Sequence, residues 1–133
     1  MSGITIVGEL LRTYEPLTAV VPIESIKAGR LPDDVKLPAL LVRTISSVEW
    51  QALSRGATVP TTDRIAVAVR AASYREQTAV IKLVRLACAG RTGTIADLKN
   101  VAVLTAGLGP DVPGPADSFE QTLDFRVSFD APA

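Results

Sequence analysis

The chain contains no histidine, a single cysteine and a single tryptophan, and aromatic residues make up only 5% of its 133 positions. Histidine is the side chain that most often serves as a base near neutral pH, so without it a Ser-His-Asp arrangement cannot form. Lys27, Lys36, Lys82 and Lys99 leave room for a Ser-Lys or Schiff-base scheme, but their spacing argues for neither. The lone Cys88 excludes an internal disulfide and agrees with a reducing compartment; its plain reading is a small buried helix residue. Charge of one sign is also lacking. Lys+Arg and Asp+Glu both number 14, so no electrostatic excess draws the chain to nucleic acid or an acidic membrane surface. No apolar run approaches the ~20 residues of a spanning helix. The stretch Ile4 to Leu11 has no preceding basic region and is broken by Thr5, Gly8 and Glu9, so no signal peptide is expected and synthesis in a cytoplasm is.

What is present is apolar patterning. Hydrophobic residues reach 47% and mean hydropathy is +0.28. With near-zero charge to keep copies apart, this composition predicts self-association of one domain spanning 1–133. The clearest pattern is the last one. From Ser118 to Asp130, Phe119, Leu123, Phe125, Val127 and Phe129 fall on one side of an extended backbone, and Glu120, Thr122, Asp124, Arg126, Ser128 and Asp130 on the other. A period of two describes a long antiparallel strand with one face buried. Only Gln121 interrupts the apolar row.

Earlier segments are read the same way. Ser2 is positioned to cap a short helix with Ile4, Val7, Leu10 and Leu11 on one face, limited by Pro16. A brief extended piece is expected within Val20 to Ile26, then a turn-rich linker from Ala28 to Lys36. From Leu37 a strand begins, with Pro38 at its start, and runs toward Trp50. Gln51 to Thr62 reads as a flexible loop, and Arg64 to Ala72 as a strand with Ile65, Val67, Val69 and Ala71 on one face and Arg64, Ala66, Ala68 and Arg70 on the other. Ser73 and Glu76 form a capping box that starts a helix over Tyr74 to Ala89, with Val80, Ile81, Val84, Ala87 and Cys88 as its stripe and Gly90 as its left-handed terminator. A short strand at Thr94 to Ile95, a longer one at Asn100 to Leu108 and a Pro/Gly-rich loop over 107–117 precede the closing strand. The order predicts an α+β fold: an antiparallel sheet with one main helix and a short N-terminal helix packed on one face.

The candidate chemistry is sparse. Arg91, Thr92, Gly93 and Thr94 after Gly90 look like a phosphate loop, but such a loop leads into a helix and this one leads out. Asp33 and Asp34 sit in a turn without the further oxygen ligands that calcium needs. No cofactor or metal is implied. The polar row Glu120, Asp124 and Arg126 comes within cross-strand reach of Arg64 and Arg70 if the two strands are neighbours, and makes either a solvated face or an interface. Trp50 is either a core plug or an interface anchor.

The ordered set Leu37-Pro38-Ala39-Leu40-Leu41-Val42, then Arg64-Ile65-Ala66-Val67-Ala68-Val69 leading into the Ser73 to Gly90 helix, then Leu123-Asp124-Phe125-Arg126-Val127-Ser128-Phe129, resembles the small tail-completion proteins of long-tailed bacteriophages. These include the tail terminators, also called tail-to-head joining or neck proteins. The likeness spans about Leu10 to Asp130. It implies a structural, non-enzymatic virion subunit in the neck of the tail. Such a subunit forms a homo-oligomeric ring, usually a hexamer, that caps the finished tail tube and docks the head connector or stopper protein. No catalytic residues come with the family. The interface candidates are Trp50, Arg55, Arg64, Arg70, Asp124 and Arg126. A head-completion adaptor or stopper, or a small α+β ligand-binding module or enzyme, stand as alternatives.

Overall fold

A computed structural model describes residues 2–133. The chain opens with α1 (Gly3–Thr13) and the one-turn α2 (Glu15–Thr18), where Pro16 takes the first-turn position that needs no amide donor. A 3₁₀ turn at Ile23–Ser25 leads into β1 (Ile26–Ala28). The longer strands β2 (Ala39–Glu49) and β3 (Thr58–Ala71) precede the main helix α3 (Tyr74–Cys88). A hairpin of β4 (Thr92–Ile95) and β5 (Leu98–Leu108), a two-residue β6 (Val112–Pro113) and β7 (Phe119–Pro132) complete it.

The strands form one seven-stranded sheet in the order β1-β2-β3-β7-β5-β4, with β6 added beside the start of β7. The expected α+β class holds, with α1 and α3 packed on the same side of the sheet. Its purely antiparallel character does not, because β1 runs parallel to β2, pairing Ile26 with Leu40 and Ala28 with Val42. The closing strand supplies the centre of the core: Phe125 and Val127 are fully buried and Leu123 and Phe129 nearly so. They meet Ile65, Val67 and Val69 of β3, Ile6, Val7 and Leu11 of α1, and Val80 and Val84 of α3 in one apolar cluster. Burying a side chain such as Phe125 removes enough apolar surface to favour the fold by about 2–3 kcal/mol. Phe119 departs from the expected row, being 38% exposed at the strand's start. Gln121 is explained: Gln77, fully buried on α3, donates to its Oε1 at 3.2 Å, and Gln121 in turn donates to the Gly109 carbonyl at 2.9 Å.

Several boundaries move. The loop expected over Gln51 to Thr62 is shorter, because Thr58 to Asp63 already pair with β7 and Thr61 to Asp63 with β2 as well, Thr62 lying opposite Val48 and Ser128. Alternation in that stretch is masked by Pro60 and three threonines, which are polar yet at home in a strand. Of the span Val20 to Ile26, where a brief extended piece is expected, Ile23–Ser25 form the 3₁₀ turn and only Ile26 is in a strand, which runs on to Ala28. The short strand at Thr94 begins two residues earlier, and the hairpin it opens turns through Ala96 and Asp97 at φ of 52° and 63°. Val112 and Pro113 pair with Glu120 and Phe119 inside the loop expected over 107–117. The main helix ends one residue short of Ala89, with Gly90 at φ 78°.

The two helix starts also separate. Ser73 Oγ accepts from the Glu76 amide at 3.1 Å, as the capping box requires, while Glu76 reaches back past the cap to the Ala72 amide. Ser2 makes no side-chain cap. The amide of Gly3 instead donates to the carboxylate of Asp63, buried on β3, at 2.9 Å. Gly3 is needed there for room, since a Cβ would stand 2.8 Å from the Asp63 Cβ.

Candidate assembly surface

The pairing of β3 with β7 fixes which charged side chains meet. Direct opposition places Arg64 beside Arg126 and Arg70 beside Glu120, on the sheet face turned away from α1 and α3. Two arginines facing each other repel unless one is diverted. Arg64 is diverted diagonally: its Nε and Nη2 donate to Asp124 Oδ2 at 3.0 and 2.9 Å, and Nη2 also reaches the Ala106 carbonyl. Arg126 has no ion-pair partner among the described residues. Its guanidinium is exposed, directly across from Leu104 of β5, itself 56% exposed.

Arg70 has a different fate. It is buried, donates to the Pro32 carbonyl at 3.0 Å, and lies 3.5 Å from Glu120. The linker after β1 therefore folds over this end of the outer face, and Arg70 holds it there. Between the two arginines, Ala66 and Ala68 are buried even on the outer side, small residues lying between longer neighbours.

Toward the other end of β3 the outer face is open. Thr62 and Ser128 share a hydrogen bond at 3.3 Å across the pair, and the Trp50 indole donates to Thr62 at 3.4 Å while staying 64% exposed. The indole is thus no core plug; it lies on the polar sheet face, with Val48 and Ile45 exposed nearby on β2. Beyond it the loop carries Leu53, fully in solvent, and Arg55, also exposed, outward. The structure therefore gathers Trp50, Arg64, Asp124 and Arg126 on one face, sets Arg55 on the adjoining loop, and withdraws Arg70. Leu104 was missed by the sequence reading; its signal is that β5 is apolar on both of its faces, with Ala102 and Leu104 alternating with Val101 and Val103.

Among the described residues, no group of three or more His, Cys, Asp or Glu is placed to hold a metal, and no helix is long and apolar enough to cross a membrane. The Arg91 stretch serves the fold: its guanidinium donates to the Ala87 and Leu86 carbonyls at the C-terminus of α3, where the helix leaves acceptors free, and lies 5.8 Å from the Tyr14 ring. Cys88 is fully enclosed, and burial pushes its thiol up to about 12, against a smaller downward pull from Arg91.

The fold itself has a counterpart in a virus-like particle. A chain of a solved structure described as the virion of a native gene transfer agent particle matches with a TM-score of 0.64 over 98% of this chain and 96% of that one, at 18% identity. At that identity the likeness is one of fold, and it extends end to end. No family model matches the sequence, and no curated protein matches it.

Proposed function

We propose that this chain is a structural subunit of a phage or phage-like particle, a tail terminator that assembles as a ring, six copies in the family it resembles, on the finished tail tube. The observation that carries the reading is the end-to-end fold match to a chain of a gene transfer agent virion, joined to the order of strand and helix segments that resembles tail-completion proteins. The outer face fits the role. It offers an exposed indole, an unpaired arginine and apolar side chains on a rigid sheet, the mix found at protein contacts, and no acid-base pair. In this reading Trp50, Arg55, Arg64, Asp124 and Arg126 face neighbouring proteins, the tube protein on one side of the ring and the head connector or stopper on the other. Arg70 contributes by fixing the linker. The mechanism is geometric: covering the last tube ring stops further addition and supplies a new docking surface, and a head-to-tail contact that closes on itself leaves no open end to polymerise.

The test is a particle-producing strain lacking this chain. Tails of uncontrolled length, or tails that fail to join capsids, are expected, with rescue by the wild-type chain and weakened rescue by Trp50→Ala with Arg126→Glu. Uniform tails attached to heads without it would sink the reading. Purified chain that binds portal-containing heads and ignores isolated tubes would make it a head-completion adaptor instead.

A further inference from the structure

Strand β5 has no charged residue from Val101 to Gly109, the opposite of how proteins usually guard a free strand edge. Its outer flank is covered only at first. β4 pairs with it from Leu98 to Ala102, and the turn after α3 adds Gly90 N–H to the Val103 carbonyl at 2.8 Å and Val103 N–H to the Arg91 carbonyl at 3.0 Å. From Leu104 to Leu108 no strand lies on that side among the described residues, and Leu104 and Leu108 are each 56% exposed. The opposite margin of the sheet has the same defect. β1 pairs with β2 only from Leu40 to Val42, so Thr44 to Glu49 present an open edge, exposed throughout.

The two open halves are complementary. Through β3 and β7, each antiparallel to its neighbours, β2 and β5 run in opposite directions, so the β5 margin of one copy meets the β2 margin of another as an antiparallel pair. Leu104 stands level with Ser46, by way of Arg126 and Arg64. A slide of two residues, roughly 7 Å, therefore sets Leu104 against Val48 and keeps each residue opposite one of the same face. Each half carries an irregularity, between Thr44 and Ser46 and between Thr105 and Gly107.

Charge agrees with direction. Beside the open half of β5, on the helix-covered face, a groove of about 370 Å³ runs between Thr105 and Leu108 and the α3 side chains Ile81, Lys82 and Arg85. Neither Lys82 nor Arg85 has an ion-pair partner among the described residues, and neither does Glu49. Glu49 lies opposite the inward-facing Thr61, so an incoming β2 brings its carboxylate to this face of the sheet. Strand addition of this kind draws affinity from main-chain hydrogen bonds and selectivity from the side chains that enter the adjoining groove.

We infer that the subunits join through these edges: Thr44–Glu49 of one copy pairs with Leu104–Leu108 of the next, and Glu49 meets Lys82 and Arg85. The inference rests on the ring reading and names the surfaces that build the ring. It is tested in the full chain with Ser47→Cys and Thr105→Cys, singly and together, using a short bis-maleimide; buried Cys88 supplies an unreactive background. A ladder of linked oligomers is expected from the double variant and from neither single one. Linked dimers from Thr105→Cys alone would mean two-fold pairing of β5 with itself and would overturn the inference. Closed rings seen by native mass spectrometry without a ladder would overturn the edge pairing and leave the ring reading standing. A chain that stays monomeric at its highest soluble concentration would overturn the edge pairing too, and the strain lacking the chain would then decide the ring reading by itself. Glu49→Lys should weaken assembly at least tenfold, and Lys82→Glu with Arg85→Glu should restore it in that background; no restoration would remove Glu49 from the contact.

Discussion

The two longer helices of this chain are secured in opposite ways. α3 carries its own start signal, with Ser73 and Glu76 satisfying amides at positions 76 and 72 within a single turn. α1 borrows its signal from sixty residues away, where Asp63 on β3 takes the Gly3 amide and places a carboxylate at the positive end of the helix. The first arrangement is complete within the helix and the residues just before it. The second ties a helix to the strand that presents the outer face: Asp63 turns inward to α1, while Thr62 and Arg64 on either side of it turn outward to Trp50 and Asp124. Anchoring α1 therefore also stiffens the surface proposed to meet other proteins.

The difference is tested most severely at Asp63. Asp63→Ala leaves the Gly3 amide buried without an acceptor and should cost about 2–3 kcal/mol, read as a lower urea midpoint. Asp63→Asn keeps an acceptor and should cost about half as much. Gly3→Leu, which drives a side chain into Asp63, should resemble the alanine variant. A loss below about 0.5 kcal/mol for Asp63→Ala would show that α1 is held by its apolar stripe alone, and the contrast between the helices would fail.

α3 has a weakness of its own, and pH exposes it. The Cys88 thiol is raised from 9.0 to about 12 by burial, so the folded state keeps a proton that the unfolded chain releases. A group raised in the folded state contributes fully below its unfolded pKa and loses that contribution as pH climbs through the window from 9 to 12. About 1.4 kcal/mol should be gone by pH 10. Cys88→Ala starts less stable but should lack this alkaline component, and parallel pH profiles for the two chains would contradict the assignment. Smaller still is the local cap: Ser73→Ala should cost about 1 kcal/mol, visible as faster amide exchange in the first turn of α3.

These sites also separate what could be read from the chain from what could not. Capping boxes and alternating strands are local, so α3 and the central rows of β3 and β7 were legible; that opposite charges would come within reach if the strands were neighbours was legible too, but the diagonal from Arg64 to Asp124 needed the register. Gln121 announced itself as a break in an apolar row, though its partner Gln77 lies on another element. Asp63 gave no sign. It follows directly on the polar, threonine-rich stretch read as a loop and precedes the strand read from Arg64, and only the packing of α1 on β3 gives its carboxylate a purpose. Arg70 misled in the other direction, since the linker that buries it has no periodic pattern. The open margins of the sheet are likewise properties of topology: a strand's sequence does not say that its neighbour stops halfway.

The most delicate consequence concerns independence. Asp63 sits near the middle of β3 and Ser73 two residues beyond its end, ten positions apart and so roughly 30 Å along an extended chain. They serve different helices and share no hydrogen-bond partner. In a double-mutant cycle of Asp63→Ala with Ser73→Ala the two costs should add to within about 0.5 kcal/mol. By contrast, Ser73→Ala with Glu76→Ala removes both halves of one device, and its double loss should fall short of the sum. Coupling between Asp63 and Ser73 would require β3 to transmit strain from its middle to its end as one stiff body. The same stiffness would then connect the Arg64 end of the outer face to the Arg70 end, and variation at one proposed contact would be felt at the other.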